Sequence, residues 1–79
     1  MANSRGAPRY RVRKPAFIKY GGDKIPCTVC DLSLTGASLD VFDVKSAPAK
    51  FTLVIPEDGL EIACRVVRRT EFRLGIEFD

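Results

Sequence analysis

A two-residue alternation of apolar and polar side chains constrains the fold of this chain more than any other feature. In the segment EFRLGIEF near the C-terminus, every second residue is large and apolar: Phe72, Leu74, Ile76 and Phe78. Successive side chains of a β-strand point to opposite faces, so this period places one face against a core and the other in solvent. The pattern therefore predicts β-strands.

Six segments carry this alternation, at residues 16–20, 25–31, 36–42, 50–55, 60–69 and 71–78. Turn signals separate them, notably the glycine pair Gly21-Gly22 and the tetrapeptide PEDG at 56–59. No segment of ten or more residues has the pattern of an amphipathic helix. Six short strands predict an antiparallel barrel or sandwich, and closure into a barrel is favoured because it removes the sheet edges. We therefore predict an all-β, six-stranded antiparallel barrel at residues 10–79.

The N-terminal segment, residues 1–9, stands outside the alternation and forms a predicted flexible arm. Six of the 13 basic residues lie within residues 1–20, where no acidic residue occurs. Such an uneven charge favours an anionic partner for the arm, and the alternative is a tail that is merely solvated. No apolar run is long enough to cross a membrane, and residues 1–15 lack the apolar centre of a signal peptide. We expect no membrane insertion and a cytoplasmic location.

The three cysteines and the absence of histidine argue against metal binding and catalysis. Cys27 and Cys30 are three residues apart in a predicted strand and should point to opposite faces. A structural zinc site usually needs four Cys or His ligands, which this chain cannot supply. We predict reduced cysteines that pack as small apolar residues, no metal and no cofactor. Without a histidine or a base for a cysteine nucleophile, we also expect no enzymatic activity.

Two short motifs carry the candidate binding chemistry. Arg5 and Arg9 are four residues apart, and Gly6 between them permits a bend that brings their guanidinium groups together. Guanidinium groups bind phosphate oxygens and the O6/N7 edge of guanine. Arg9 and Arg13 have the same spacing, but we interpret Arg11 and Arg13 as exposed charges at the start of the first strand.

The second motif is DLSLTG, residues 31–36. Asp31 and Ser33 are two residues apart and share one face of a strand. A carboxylate accepts hydrogen bonds from paired N–H donors such as N1 and N2 of guanine, and Gly36 permits a tight turn or a close backbone approach. Taken alone, the motif is equally typical of a turn in which the Asp and Ser side chains cap local N–H groups.

Together, an R-x-x-x-R pattern before the first strand and a D-x-S-x-x-G pattern after the second resemble the PilZ family. The resemblance extends from Arg5 to Phe78 and includes the segments PRYRVRKPAFI and RLGIEF. It implies a non-enzymatic receptor for cyclic di-GMP, a bacterial second messenger. By the same resemblance, the ligand-binding residues would be the matching motif positions: Arg5, Arg9, Asp31, Ser33 and Gly36.

The resemblance further implies that the arm becomes ordered around the ligand and relays the signal to an unknown downstream protein. Many relatives carry an additional arginine where this chain has Ser4, which leads us to expect one ligand per protein rather than a stacked ligand pair. Many also have a helix after the last strand, and we expect none before Asp79.

Two other functions remain open at this point. One is a β-barrel that binds single-stranded nucleic acid through its basic arm and surface aromatics. We consider it unlikely because the tyrosines and phenylalanines mostly fall on apolar faces. The other is a degenerate PilZ domain that only contacts proteins.

Overall fold

The strands of the protein close into one antiparallel barrel. The structure, a computed structural model, describes residues 9–79. Its strands are β1 (Tyr10–Tyr20), β2 (Asp23–Leu32), β3 (Gly36–Val41), β4 (Lys50–Ile55), β5 (Leu60–Arg69) and β6 (Arg73–Phe78). They follow one another around the barrel as β1-β2-β3-β6-β5-β4, and β1 pairs with β4 to close it. The predicted all-β, six-stranded antiparallel barrel is confirmed.

The described part of the chain contains no α-helix; a single 3-10 turn at Pro56–Asp58 connects β4 and β5. Accordingly, no helix within residues 9–79 has the length and apolar character needed to span a membrane. The predicted arm, except for Arg9, lies outside the described residues, so the boundary between arm and barrel stays a prediction.

The barrel interior is filled by the apolar side of each alternating segment. Five of its large side chains have no exposed surface: Ile18, Leu39, Leu53, Ile55 and Leu74. Burial of one such side chain contributes about 1.5–3 kcal/mol. No polar or charged residue among 9–79 is buried. Hydrophobic burial therefore holds the barrel together, and the polar groups are left on its outer surface.

Glycine makes both of the tight connections that the sequence predicts. Gly21 and Gly22 connect β1 to β2 with φ angles of 51° and 94°, and Gly59 ends the connection between β4 and β5 at 64°. These angles lie in the left-handed region, which side chains with a Cβ rarely adopt.

Two details differ from the simple alternation. Phe72 was expected on the apolar face with Leu74, but it is 71% exposed. It lies in the turn closed by Thr70, whose hydroxyl accepts a hydrogen bond from the N–H of Arg73, so the strand begins one residue later. In the connection between β3 and β4, Val44 is buried although it lies outside every strand.

Candidate ligand-binding site

The turn between β2 and β3 is built by Ser33. Its hydroxyl accepts hydrogen bonds from the N–H groups of Thr35 and Gly36, both at 3.2 Å, and donates to the carbonyl of Gly36 at 3.2 Å. The N–H of Ser33 donates to the same carbonyl at 2.9 Å. Serine hydroxyls often satisfy backbone groups in this way where a strand ends. Ser33 thus uses its only hydroxyl hydrogen within the turn, and its main effect here is to shape the site.

The carboxylate of Asp31 lies near the end of β2 and contacts Arg9, the residue that precedes β1. Arg9 Nη1 is 3.2 Å from Asp31 Oδ1, and the two side chains are 65% and 22% exposed. An exposed ion pair of this kind contributes between zero and about 1 kcal/mol. The pair therefore brings the two predicted motifs together at little energetic cost, and a stronger partner can displace either group.

At Gly36 the backbone of β3 lies close against that of β6. A Cβ built on it would collide with the main-chain oxygen of Ile76 and lie 3.3 Å from Cα of Glu77. The sequence suggested a close backbone approach at Gly36, and in the structure it is the backbone of β6 that lies close to this glycine.

A groove of about 320 Å³ runs from this turn across β3 and β6 to β5. Arg9 and Gly36 line one side of it, Ser38 and Gly75 lie in the middle, and Arg68 lines the far side. Its volume is at the lower end of the range for small-molecule sites. The groove combines cations at both sides with two glycines that leave its base uncluttered, which suits a flat anionic ligand.

A second hollow of about 220 Å³ adjoins the first on the β1 side. Arg11, Arg13 and Arg73 line it together with Asp31. Arg11 and Arg13 are both exposed on the outward side of β1, as predicted. Arg73 donates from Nε to Asp40 at 2.8 Å, and Arg11 and Arg13 add their positive charge to that of Arg9 near Asp31.

The structure brings together four of the five residues predicted for the site. Arg9, Asp31, Ser33 and Gly36 lie at one end of β2 and β3, whereas Arg5 falls outside the described residues. Sequence reasoning missed Arg68, which lies 32 positions beyond Gly36. The order of strands around the barrel and a register shift in β5 bring it there, and no local motif marks it.

Cys27 and Cys64 lie in the barrel core, whereas Cys30 lines the second hollow beside Asp31. Cys27 and Cys64 are buried and Cys30 is partly exposed, and all three are free. Burial raises the pKa of Cys27 and of Cys64 to about 12, so neither is a reactive thiolate near neutral pH. Residues 9–79 contain no cluster of three or more Cys, Asp or Glu side chains that could hold a metal ion.

Aromatic side chains are more exposed than the sequence suggested. Tyr10 is 63% exposed and Phe72 71%, and the ring of Phe42 is entirely exposed. The expectation that aromatics mostly pack into the core is therefore wrong for Tyr10 and Phe72, whereas Phe42 lies in the outward phase of its segment with Ser38 and Asp40. Phe42 and Phe72 lie at the opposite end of β3 from Gly36, so they do not extend the groove.

The fold and this surface define a class of protein, a small closed β-barrel domain with a polar, arginine-lined groove at one turn. A family model described as PilZ domain matches residues 3–79, nearly the whole chain. The chain therefore belongs to the PilZ domain family, whose members are in general non-enzymatic receptors for cyclic di-GMP. No curated protein matches the chain in a sequence comparison.

Proposed function

We propose that this domain is a non-enzymatic receptor for cyclic di-GMP. The observation that carries the proposal is the contact at 3.2 Å between Arg9 and Asp31. It joins the last arginine of one family motif to the carboxylate of the other, at the margin of one groove. Membership of the PilZ family supports the same ligand.

The chemistry of the groove matches a ligand with two phosphates and two guanines. The guanidinium of Arg9 can exchange its exposed carboxylate partner for a phosphate, since charge-assisted bidentate contacts to phosphate are among the strongest hydrogen bonds. Asp31, once released, accepts from the N1 and N2 donors of a guanine. In this proposal Ser33 and Gly36 fix the turn, and Arg5 supplies a second cation from the arm.

Signal relay follows from the position of Arg9. It is the residue at which the arm meets the barrel, so a ligand held by both Arg5 and Arg9 draws residues 1–9 onto the groove. The ordered arm then offers a new surface to a protein partner. Amide exchange of residues 3–12, measured with and without cyclic di-GMP, tests this step. Slower exchange with ligand is expected, and equal exchange in both states contradicts it.

Calorimetric titration with cyclic di-GMP tests the receptor itself. We expect saturable binding of one ligand per protein that Arg9→Ala weakens ten- to a hundredfold, the effect of losing one charge-assisted contact. Lys19→Ala is the matched control, because it removes one exposed positive charge from the other end of β1. The control should bind like the wild-type protein.

A single-stranded oligonucleotide serves as the competing ligand. One contrary outcome is that the oligonucleotide binds more tightly than cyclic di-GMP, with Lys19→Ala weakening its binding as much as Arg9→Ala does. Binding would then depend on net positive charge rather than on a specific site, and the receptor assignment would be wrong. If neither ligand binds, the domain is better described as a protein-interaction module of the same family.

A further inference from the structure

One continuous row of outward-facing residues crosses the barrel at the groove. Asp31 on β2 pairs with Ser38 on β3, Ser38 pairs with Gly75 on β6, and Gly75 pairs with Arg68 on β5. Directly opposed residues of antiparallel strands share a face, so all four belong to the same outer surface. Three strand spacings separate the ends of the row, about 14 Å between backbones. A carboxylate thus stands at one end and a guanidinium at the other.

A β-bulge gives Arg68 this position. The register of β5 against β6 shifts between Val66 and Arg68, so that Val67 is the additional residue. In an uninterrupted ladder, Val67 would oppose Gly75, and Arg68 would oppose Leu74, whose side chain is fully buried. Bulges redirect side chains in this manner next to functional sites. Without the bulge, the side chain of Arg68 would point toward the core; with it, the guanidinium points to the groove.

The side chain of Arg68 lies against Gly75. From the point where a Cβ of Gly75 would be, Arg68 Cβ is 3.4 Å and Nε 3.9 Å away. Gly75 therefore provides the space through which the arginine lies along the surface.

No side chain or carbonyl among residues 9–79 accepts a hydrogen bond from the guanidinium of Arg68. Within residues 9–79 it makes no salt bridge, whereas the nearby Arg65 pairs with Glu77 at 2.8 Å and Asp79 at 2.9 Å. Glu77 is the carboxylate that lines this side of the groove. Since Arg65 neutralises it, the guanidinium of Arg68 is available to a ligand and is not drawn away by its acidic neighbour.

We propose that Arg68 selects guanine by donating to its O6 and N7 acceptors while Asp31 accepts from N1 and N2 of the same base. The base would lie flat over Ser38 and Gly75, between the two ends of the row. Bidentate donation from arginine to O6 and N7 is the commonest specific contact to guanine. Adenine presents an amino donor in place of O6, so the same arginine disfavours it. This assignment rests on the proposed function and adds the residue that determines base specificity.

The test uses cyclic di-GMP and its 7-deaza analogue, in which N7 is replaced by a C–H group and the N1 and N2 donors are retained. We expect Arg68→Ala to weaken cyclic di-GMP binding ten- to a hundredfold. For the 7-deaza analogue, Arg68→Ala should lower the affinity less than threefold, because the analogue already lacks the N7 acceptor that Arg68 would contact. Arg68→Lys keeps the charge without the paired donors and should recover only part of the loss. Lys19→Ala again controls for net charge, and thermal melts confirm that each variant is folded.

The outcomes separate this inference from the receptor assignment. If the wild-type protein binds cyclic di-GMP but Arg68→Ala binds within threefold of it, the role of Arg68 is overturned and the receptor stands. An equal loss for both ligands also overturns it, since Arg68 would then act on phosphate or on folding. If the wild-type protein binds neither ligand, both the receptor assignment and the role of Arg68 fail.

Discussion

Replacing Gly36 with alanine tests the close approach of β3 to β6. The new Cβ would collide with the main-chain oxygen of Ile76, which belongs to a paired strand and cannot rotate away like a flexible side chain. Forcing additional atoms into a packed position costs about 1–3 kcal/mol. Alanine recovers about 0.4–1 kcal/mol by restricting the unfolded chain, so the net loss is roughly 1–2 kcal/mol. For a domain of this size, that corresponds to a fall in Tm of roughly 5–15 °C.

Gly75→Ala is the control for this substitution. Gly75 lies two residues from Glu77, the pairing partner of Gly36, and its Cβ would meet three atoms of Arg68, the nearest of them Cβ at 3.4 Å, which are ordinary contacts. We expect its stability to stay within about 0.5 kcal/mol of the wild type. Thermal unfolding followed by circular dichroism compares the two variants. If Gly36→Ala melts at the same temperature as Gly75→Ala, the argument that Gly36 is required by backbone packing is wrong.

Two further predictions concern the thiols and the outer carboxylates. At pH 8, Ellman's reagent should react with Cys30 in the native protein and with all three cysteines in urea. The reason is that pKa values of about 12 leave about one in ten thousand of the buried Cys27 and Cys64 thiols ionised. Fast reaction of all three thiols in the native state would contradict the burial of Cys27 and Cys64. The Cys30 thiol and Arg73 lower the pKa of Asp40, so the stabilisation by this carboxylate is present above its unfolded pKa near 4 and is lost as the pH falls through the lower folded value. Asp40→Asn should therefore lower the Tm more at pH 7 than at pH 2, and an equal effect at both pH values would show that the charge is not responsible.

The strands were predictable because their information is local. Ile18, Leu53 and Leu74 each occupy the apolar phase of an alternating segment, and each is fully buried. The alternation no longer predicts burial where a strand ends, as at Phe72, because side chains alternate only while the backbone is paired. The burial of Val44 was also missed, because a residue in an irregular connection does not belong to any periodic pattern.

The candidate site was predictable only in part, for a related reason. Asp31, Ser33 and Gly36 lie within six residues, so their proximity follows from one turn. The contact between Arg9 and Asp31 depends on how β1 pairs with β2, a register that shifts between Arg11 and Lys14. The position of Arg68 depends on three strand pairings and on another bulge. The alternation of apolar and polar residues in the sequence specifies neither the pairings nor the bulge.

The central claim is that the groove of this PilZ domain binds cyclic di-GMP through Arg9 and Asp31. Calorimetric titration of the wild-type protein beside Arg9→Ala and Lys19→Ala measures it most directly. The account predicts one ligand per protein, a ten- to hundredfold loss for Arg9→Ala and no change for Lys19→Ala. Wild-type affinity in Arg9→Ala, or no binding of cyclic di-GMP to the wild-type protein, would contradict it.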